Sequence, residues 1–170
     1  GQNVLSPFLR GKSMERVRKI LNVALNTVLV LQGFALIFVI VLAVFYRYIL
    51  GSALSWPEEF AGILFVWYTL LGIVLLVGSD SHIAFDLVEK YAPPIAGVLV
   101  KVLSQLIVIL YGLIMIVYGW QYQRLFPHET SPAAGINLSW VKISIPVTGA
   151  LLVVYVTLNI IQQFKPVHPD

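Results

Sequence analysis

Four stretches of this sequence contain no charged residue: Ile20–Tyr46, Phe60–Ser79, Val102–Gln123 and Ile143–Phe164. They run for 27, 20, 22 and 22 residues and together make up 91 of the 170. A helix needs about 20 predominantly apolar residues to cross a bilayer, so each stretch is long enough to span. The fold expected is an all-α integral membrane protein with four transmembrane helices. Only 11% of the chain is charged, less than half of the roughly one quarter found in soluble domains. The net charge of +3 is too small an excess to argue for nucleic acid. With no cysteine, disulfides, thiolate metal sites, Fe–S clusters and dithiol redox chemistry are excluded.

Basic residues set the expected orientation. Arg10, Lys12, Arg16, Arg18 and Lys19 precede the first span, and basic flanks accumulate in the cytoplasm. Four spans then give an N-in, C-in topology, with eight basic residues inside and three outside: Arg47, Arg124 and Lys142. The first run is too long for a signal-peptide core and lacks a small-residue cleavage pattern, so it is read as a retained span. Residues 1–13 precede Met14 and are set apart as a leader foreign to the native chain; residues 14–170 form one domain, with spans at about 20–46, 57–79, 95–123 and 141–164. At about 1.5 Å per residue the first run reaches about 40 Å against a core of about 30 Å, so it tilts or projects.

The second span opens Leu54-Ser55-Trp56-Pro57-Glu58-Glu59. Ser55 and Glu58 have capping-box spacing, Pro57 in the first turn forfeits no helical hydrogen bond, and both carboxylates complement the helix dipole. Capping accounts for Glu58. Glu59 faces the stripe Gly62–Val66–Thr69–Gly72, whose small residues allow close helix approach, and is expected to meet a partner helix. The residues Asp80–Tyr91 repeat His82, Asp86 and Glu89/Lys90 beside an apolar strip of Ile83, Leu87 and Tyr91. That pattern predicts an amphipathic helix in the inner interface between the second and third spans. His82 and Asp86, four apart, suit a hydrogen bond; two ligands make no metal site.

Polar and small residues inside the spans fall on stripes: Asn22, Asn26 and Gly33 in the first, Gln105, Gly112 and Gly119 in the third, and Thr148, Tyr155 and Gln162 in the fourth. Such stripes suit helix–helix contacts, with a ligand path as the rival reading. Trp56, Trp120 and Trp140, with Tyr46, Tyr48 and Tyr122, map to the outer ends. They read either as an interfacial belt or as a docking face. No Asp, Glu, Lys, Arg or His lies within a charge-free run; the histidines at 82, 128 and 168 are all outside them. Proton relays and many substrate pathways rely on ionisable groups inside the membrane, and no helix pair is broken at mid-membrane to build a binding site. Catalysis, cofactor binding and metal binding by this chain are therefore not expected.

From Met14 to about Phe164 the chain resembles the small membrane subunit, the DctQ type, of tripartite ATP-independent periplasmic (TRAP) transporters. The resemblance is carried by Trp56-Pro57-Glu58-Glu59 opening the second span ahead of Trp67 and Gly72. It is carried further by His82-Ile83-x-x-Asp86, and by Ser131, Trp140 and Ile145-Pro146-x-x-Gly149 opening the fourth. It implies a multi-pass subunit of the bacterial or archaeal cytoplasmic membrane, surrounded by membrane lipids. The subunit would be a non-catalytic scaffold packed on a large elevator-type membrane subunit that holds the sodium and substrate sites. A periplasmic substrate-binding protein would deliver the substrate, a C4-dicarboxylate, a sialic acid or a similar carboxylate. The outer aromatics Trp56, Trp120 and Trp140 would then have that binding protein as a second partner. The alternative is a self-sufficient four-span homodimeric transporter, for which Glu59 is the only candidate membrane carboxylate.

Overall fold

The computed structural model describes residues 5–78 and 94–163. Among these the chain is helical: α1 (Leu5–Tyr48), α2 (Trp56–Gly78), α3 (Pro94–Leu125), a single turn α4 (Ser139–Lys142) and α5 (Ser144–Gln163). Four segments are long and apolar enough to cross a membrane: Arg16–Tyr48, Trp56–Gly78, Leu99–Leu125 and Ser139–Ile161. The interfacial helix expected over 80–91, with His82 and Asp86, lies outside the described residues. α1 is a 44-residue helix that runs unbroken through the boundary at which a leader is set apart. Its apolar part alone, 33 residues, reaches about 50 Å, well beyond a bilayer core of about 30 Å. It ends where Gly51, at φ +61°, takes the left-handed turn that a β-carbon would strain.

The spans do not follow one another around a closed bundle. α1 packs on α2, α2 on α5, and α5 on α3, with a small contact between α1 and α5. The result is a row in the order α1, α2, α5, α3, with the fourth span in its interior. Burial follows this order. Ser144, Thr148, Leu152, Tyr155 and Val156 of α5 are almost wholly enclosed, whereas α3 exposes Leu103, Leu106, Ile107, Leu110, Tyr111, Ile114 and Tyr118. The apolar core, Leu25, Leu29, Leu71, Val74, Met115, Leu152 and Tyr155, gathers side chains from every span around α5.

Backbone proximity fixes the α3–α5 seam. A β-carbon added at Gly112 would lie 2.8 Å from Val153 and 3.0 Å from the Gly149 carbonyl oxygen. One added at Gly149 would lie 2.6 Å from the Gly112 carbonyl oxygen, and one at Gly119 would lie 2.7 Å from Pro146. These contacts need glycine, and they are where two apolar helices in lipid gain their contact energy. Gly149→Ala should therefore destabilise the protein by about 1–3 kcal/mol, the usual range for overpacking, read as a lower unfolding temperature in detergent. Gly62→Ala, with nothing within 4 Å of its new methyl, should leave that temperature unchanged or raise it.

Candidate functional site

Polar contacts gather at the two ends of the row. At the Gly78 end, Arg18 donates to the Gly78 carbonyl oxygen at 3.2 Å. That carbonyl closes α2, where a cation complements the negative end of the helix dipole. The Tyr155 hydroxyl donates to Asn22 Oδ1 at 2.8 Å. Its ring lies so close to Gly78 that a β-carbon there would collide with it. Three helices, α1, α2 and α5, are thus tied at one point.

The opposite end is organised by the loop between α3 and α4, and Glu59 reaches it from the first turn of α2. Its Oε1 accepts the Ala133 amide at 2.9 Å and its Oε2 accepts the Ala134 amide at 2.7 Å. Ser131 is buried, and its Oγ accepts the Ile136 amide at 3.2 Å. Its own amide bonds the Ile136 carbonyl at 2.8 Å, and the Gly135 amide bonds its carbonyl at 3.1 Å. Gly135, at φ +64°, turns the chain, and an isolated bridge pairs Thr130 with Asn137. The loop is a small hairpin with its tip amides clasped by a carboxylate.

Its base is held by a buried lysine. Lys142, 3% exposed, donates to the Phe126 carbonyl at 2.7 Å and to Glu129 Oε2 at 2.7 Å. Its ammonium also lies 5.3 Å from the centre of the Tyr122 ring and 5.4 Å from that of Phe126, within cation–π range. A buried charge is tolerated when it is paired and hydrogen-bonded, and both conditions hold here. A third tie runs from Trp67 Nε1 of α2 to the Trp140 carbonyl of α4 at 2.9 Å.

The residues singled out from the sequence fall into separate environments. Gly112, Gly119, Pro146 and Gly149 meet one another inside the chain, so the third-span stripe faces α5. Glu59 meets its own loop. Gly62 and Thr69 are exposed on α2, and Gly72 lines an open groove of about 460 Å³ with Asn22, Asn26 and Leu75. Gln105 is half-buried, Pro57 is buried, and Trp56, Trp120 and Trp140 are exposed. Glu58 pairs at 3.6 Å with Arg47 across exposed surface, an arrangement worth little in water. Arg124 lies 5.6 Å from the Trp120 ring centre. A sequence count of outer charges includes Lys142 without marking it as the one that is buried. Its position directly before the fourth charge-free run was the available signal. No group of three metal-ligating side chains occurs among the described residues.

Comparison with known proteins matches residues 36–165 to the family described as tripartite ATP-independent periplasmic transporters, DctQ component. Over 156 residues the chain is 26% identical to a Haemophilus influenzae protein assigned as a TRAP transporter small permease protein, covering 91% of this chain and 94% of that one. The sialic acid TRAP transporter small permease protein SiaQ of Vibrio cholerae is 29% identical, over 82% of this chain and 81% of its own. The sialic acid TRAP transporter permease protein SiaT of Haemophilus influenzae is 28% identical over 70% of this chain, but the match takes up only 20% of that longer protein.

If Lys142 anchors the loop, Lys142→Ala should leave the Phe126 carbonyl and Glu129 without their shared cation. A loss of about 1–3 kcal/mol is expected, below the full range for a buried pair because Glu129 is half-exposed. Thermal unfolding in detergent measures it, and Glu129→Gln should lose less.

Proposed function

The chain belongs to the DctQ component family of TRAP transporters, transporter components rather than enzymes. From that premise we propose that it is the non-catalytic scaffold subunit of a sodium-coupled importer of an organic acid. Its place is a bacterial or archaeal inner membrane, with both termini in the cytoplasm. It packs on a large membrane subunit that moves the substrate, and its Trp56–Trp140 end helps to dock the periplasmic substrate-binding protein.

The observation that carries this reading is the open row. Among the described residues α3 packs on α5 and α4 alone, and α1 mainly on α2, which leaves long apolar flanks for a larger membrane protein to cover. The interiors of the spans offer a substrate or an ion no Asp, Glu, Lys, Arg or His. In the Haemophilus permease the segment similar to this chain is part of a polypeptide about five times as long as the match, which supports a large membrane subunit as the partner of the separate chain. Two of the relatives are named for sialic acid, which is a carboxylate and suits the proposed substrate class. The homodimeric transporter reading needs Glu59 as a free membrane carboxylate. Both of its oxygens are engaged by loop amides, which favours the scaffold.

The test is reconstitution. Proteoliposomes containing this chain, the large subunit and the binding protein should take up one of a panel of radiolabelled carboxylates, such as succinate or N-acetylneuraminate, when sodium is outside. Vesicles with this chain alone should take up none, and the chain should co-purify with the large subunit. Uptake by this chain alone would overturn the proposal.

A further inference from the structure

Most of the contacts at the Trp56–Trp140 end serve one short loop. A buried lysine holds its base, a carboxylate clasps its tip, and a buried serine folds it internally. Yet the loop itself covers little. Pro127, His128, Glu129, Thr130, Pro132, Ala133 and Asn137 all remain exposed, flanked by the open rings of Phe126, Trp120 and Trp140. A loop fixed by charged groups while its outer surface stays bare is a preorganised recognition surface, because the ordering that docking requires has already been met by the fold.

We propose that Glu59 is a positioning residue for docking of the substrate-binding protein: by holding the Ala133 and Ala134 amides it fixes the 130–137 hairpin in the shape that the binding protein recognises. This rests on the proposed function, in which the binding protein docks at this end. Glu59 does not touch that partner; it acts through the loop. Each carboxylate oxygen accepts one amide, and a hydrogen bond to a charged acceptor is stronger than a neutral one. Glutamine keeps a single acceptor and turns its NH2 group towards an amide donor, so one of the two tip contacts is lost and replaced by a donor–donor clash. Ser131→Ala loosens the same turn from the loop's side, since it removes the acceptor of the Ile136 amide.

The experiment places the complete membrane complex in nanodiscs and titrates it with its substrate-binding protein, reading the dissociation constant. Glu59→Gln should weaken docking by about threefold to tenfold, with Ser131→Ala moving in the same direction by less. Co-purification with the large subunit and the unfolding temperature should stay close to wild type. Hydrogen exchange at the Ala133 and Ala134 amides should accelerate in Glu59→Gln. Thr130→Arg and Ala133→Arg, which alter the exposed surface and keep the clasped amides, test docking itself. If these surface variants weaken docking while Glu59→Gln and Ser131→Ala bind as wild type, the positioning role is wrong and docking at this end stands. If none of the four changes binding, docking at this loop is wrong and the inference falls with it. Unchanged exchange at the two amides in Glu59→Gln also overturns it. Should Glu59→Gln fail to assemble, Ser131→Ala decides by the same measure.

Discussion

Between two helices in lipid, an apolar side chain gains nothing by leaving hydrocarbon for hydrocarbon. What holds them is close backbone contact and the hydrogen bonds that lipid cannot offer. Both are concentrated on α5. Gly112 and Gly149 bring α3 against one side of it at a distance that excludes a β-carbon. Tyr155, fully enclosed, reaches from its other side to Asn22 of α1 and lies on Gly78 of α2. These contacts set α3 and α2 directly against α5, while α1 joins the row chiefly through α2.

The two ends of the row are locked in different ways, and the difference follows from where charge can reside. Within the hydrocarbon a charged side chain is expensive, so ion pairs and carboxylate clasps are confined to the ends. At the Gly78 end a tyrosine and an arginine tie three helices directly. At the other end the ties run through the loop: Glu59 and Trp67 connect α2 to the segment between α3 and α5, and Lys142 closes that segment on itself. α2 and α3, which do not pack on each other, are thereby coupled through α5 at one end and through the loop at the other.

How much of this could be read from the sequence depends on the physics involved. The spans were legible because exclusion of charge from the hydrocarbon acts on each residue separately, and the family motifs pointed to the same class. The order of the spans was not legible. The charge-free runs look alike, and a glycine stripe such as Gln105–Gly112–Gly119 states that something approaches closely without stating what; the answer, Gly149 and Pro146, lies more than 25 residues away. Glu59 illustrates the same limit. Its spacing suggested a helix facing it, but its partners are the amides of a hairpin 74 and 75 residues later. Lys142 was hidden for a different reason. Its burial depends on the loop folding back to deliver the Phe126 carbonyl and Glu129, which a count of charges per loop cannot register.

These ties bear on what the chain can do within a transporter. A subunit that moves substrate needs two packings of similar energy, so that a modest bias shifts it from one to the other. Here a shift of α5 against α3 would break the Gly112–Gly149 seam, and a shift against α2 would break the Tyr155–Asn22–Gly78 knot. A shift of α2 against the loop would strip Glu59 and Trp67 of their partners at the opposite end. No single displacement relieves all of these at once, and the bond from the fully enclosed Tyr155 to Asn22 would break where little water can replace it. A row of helices pinned at both ends and bare along its flanks is suited to standing still while a neighbour moves.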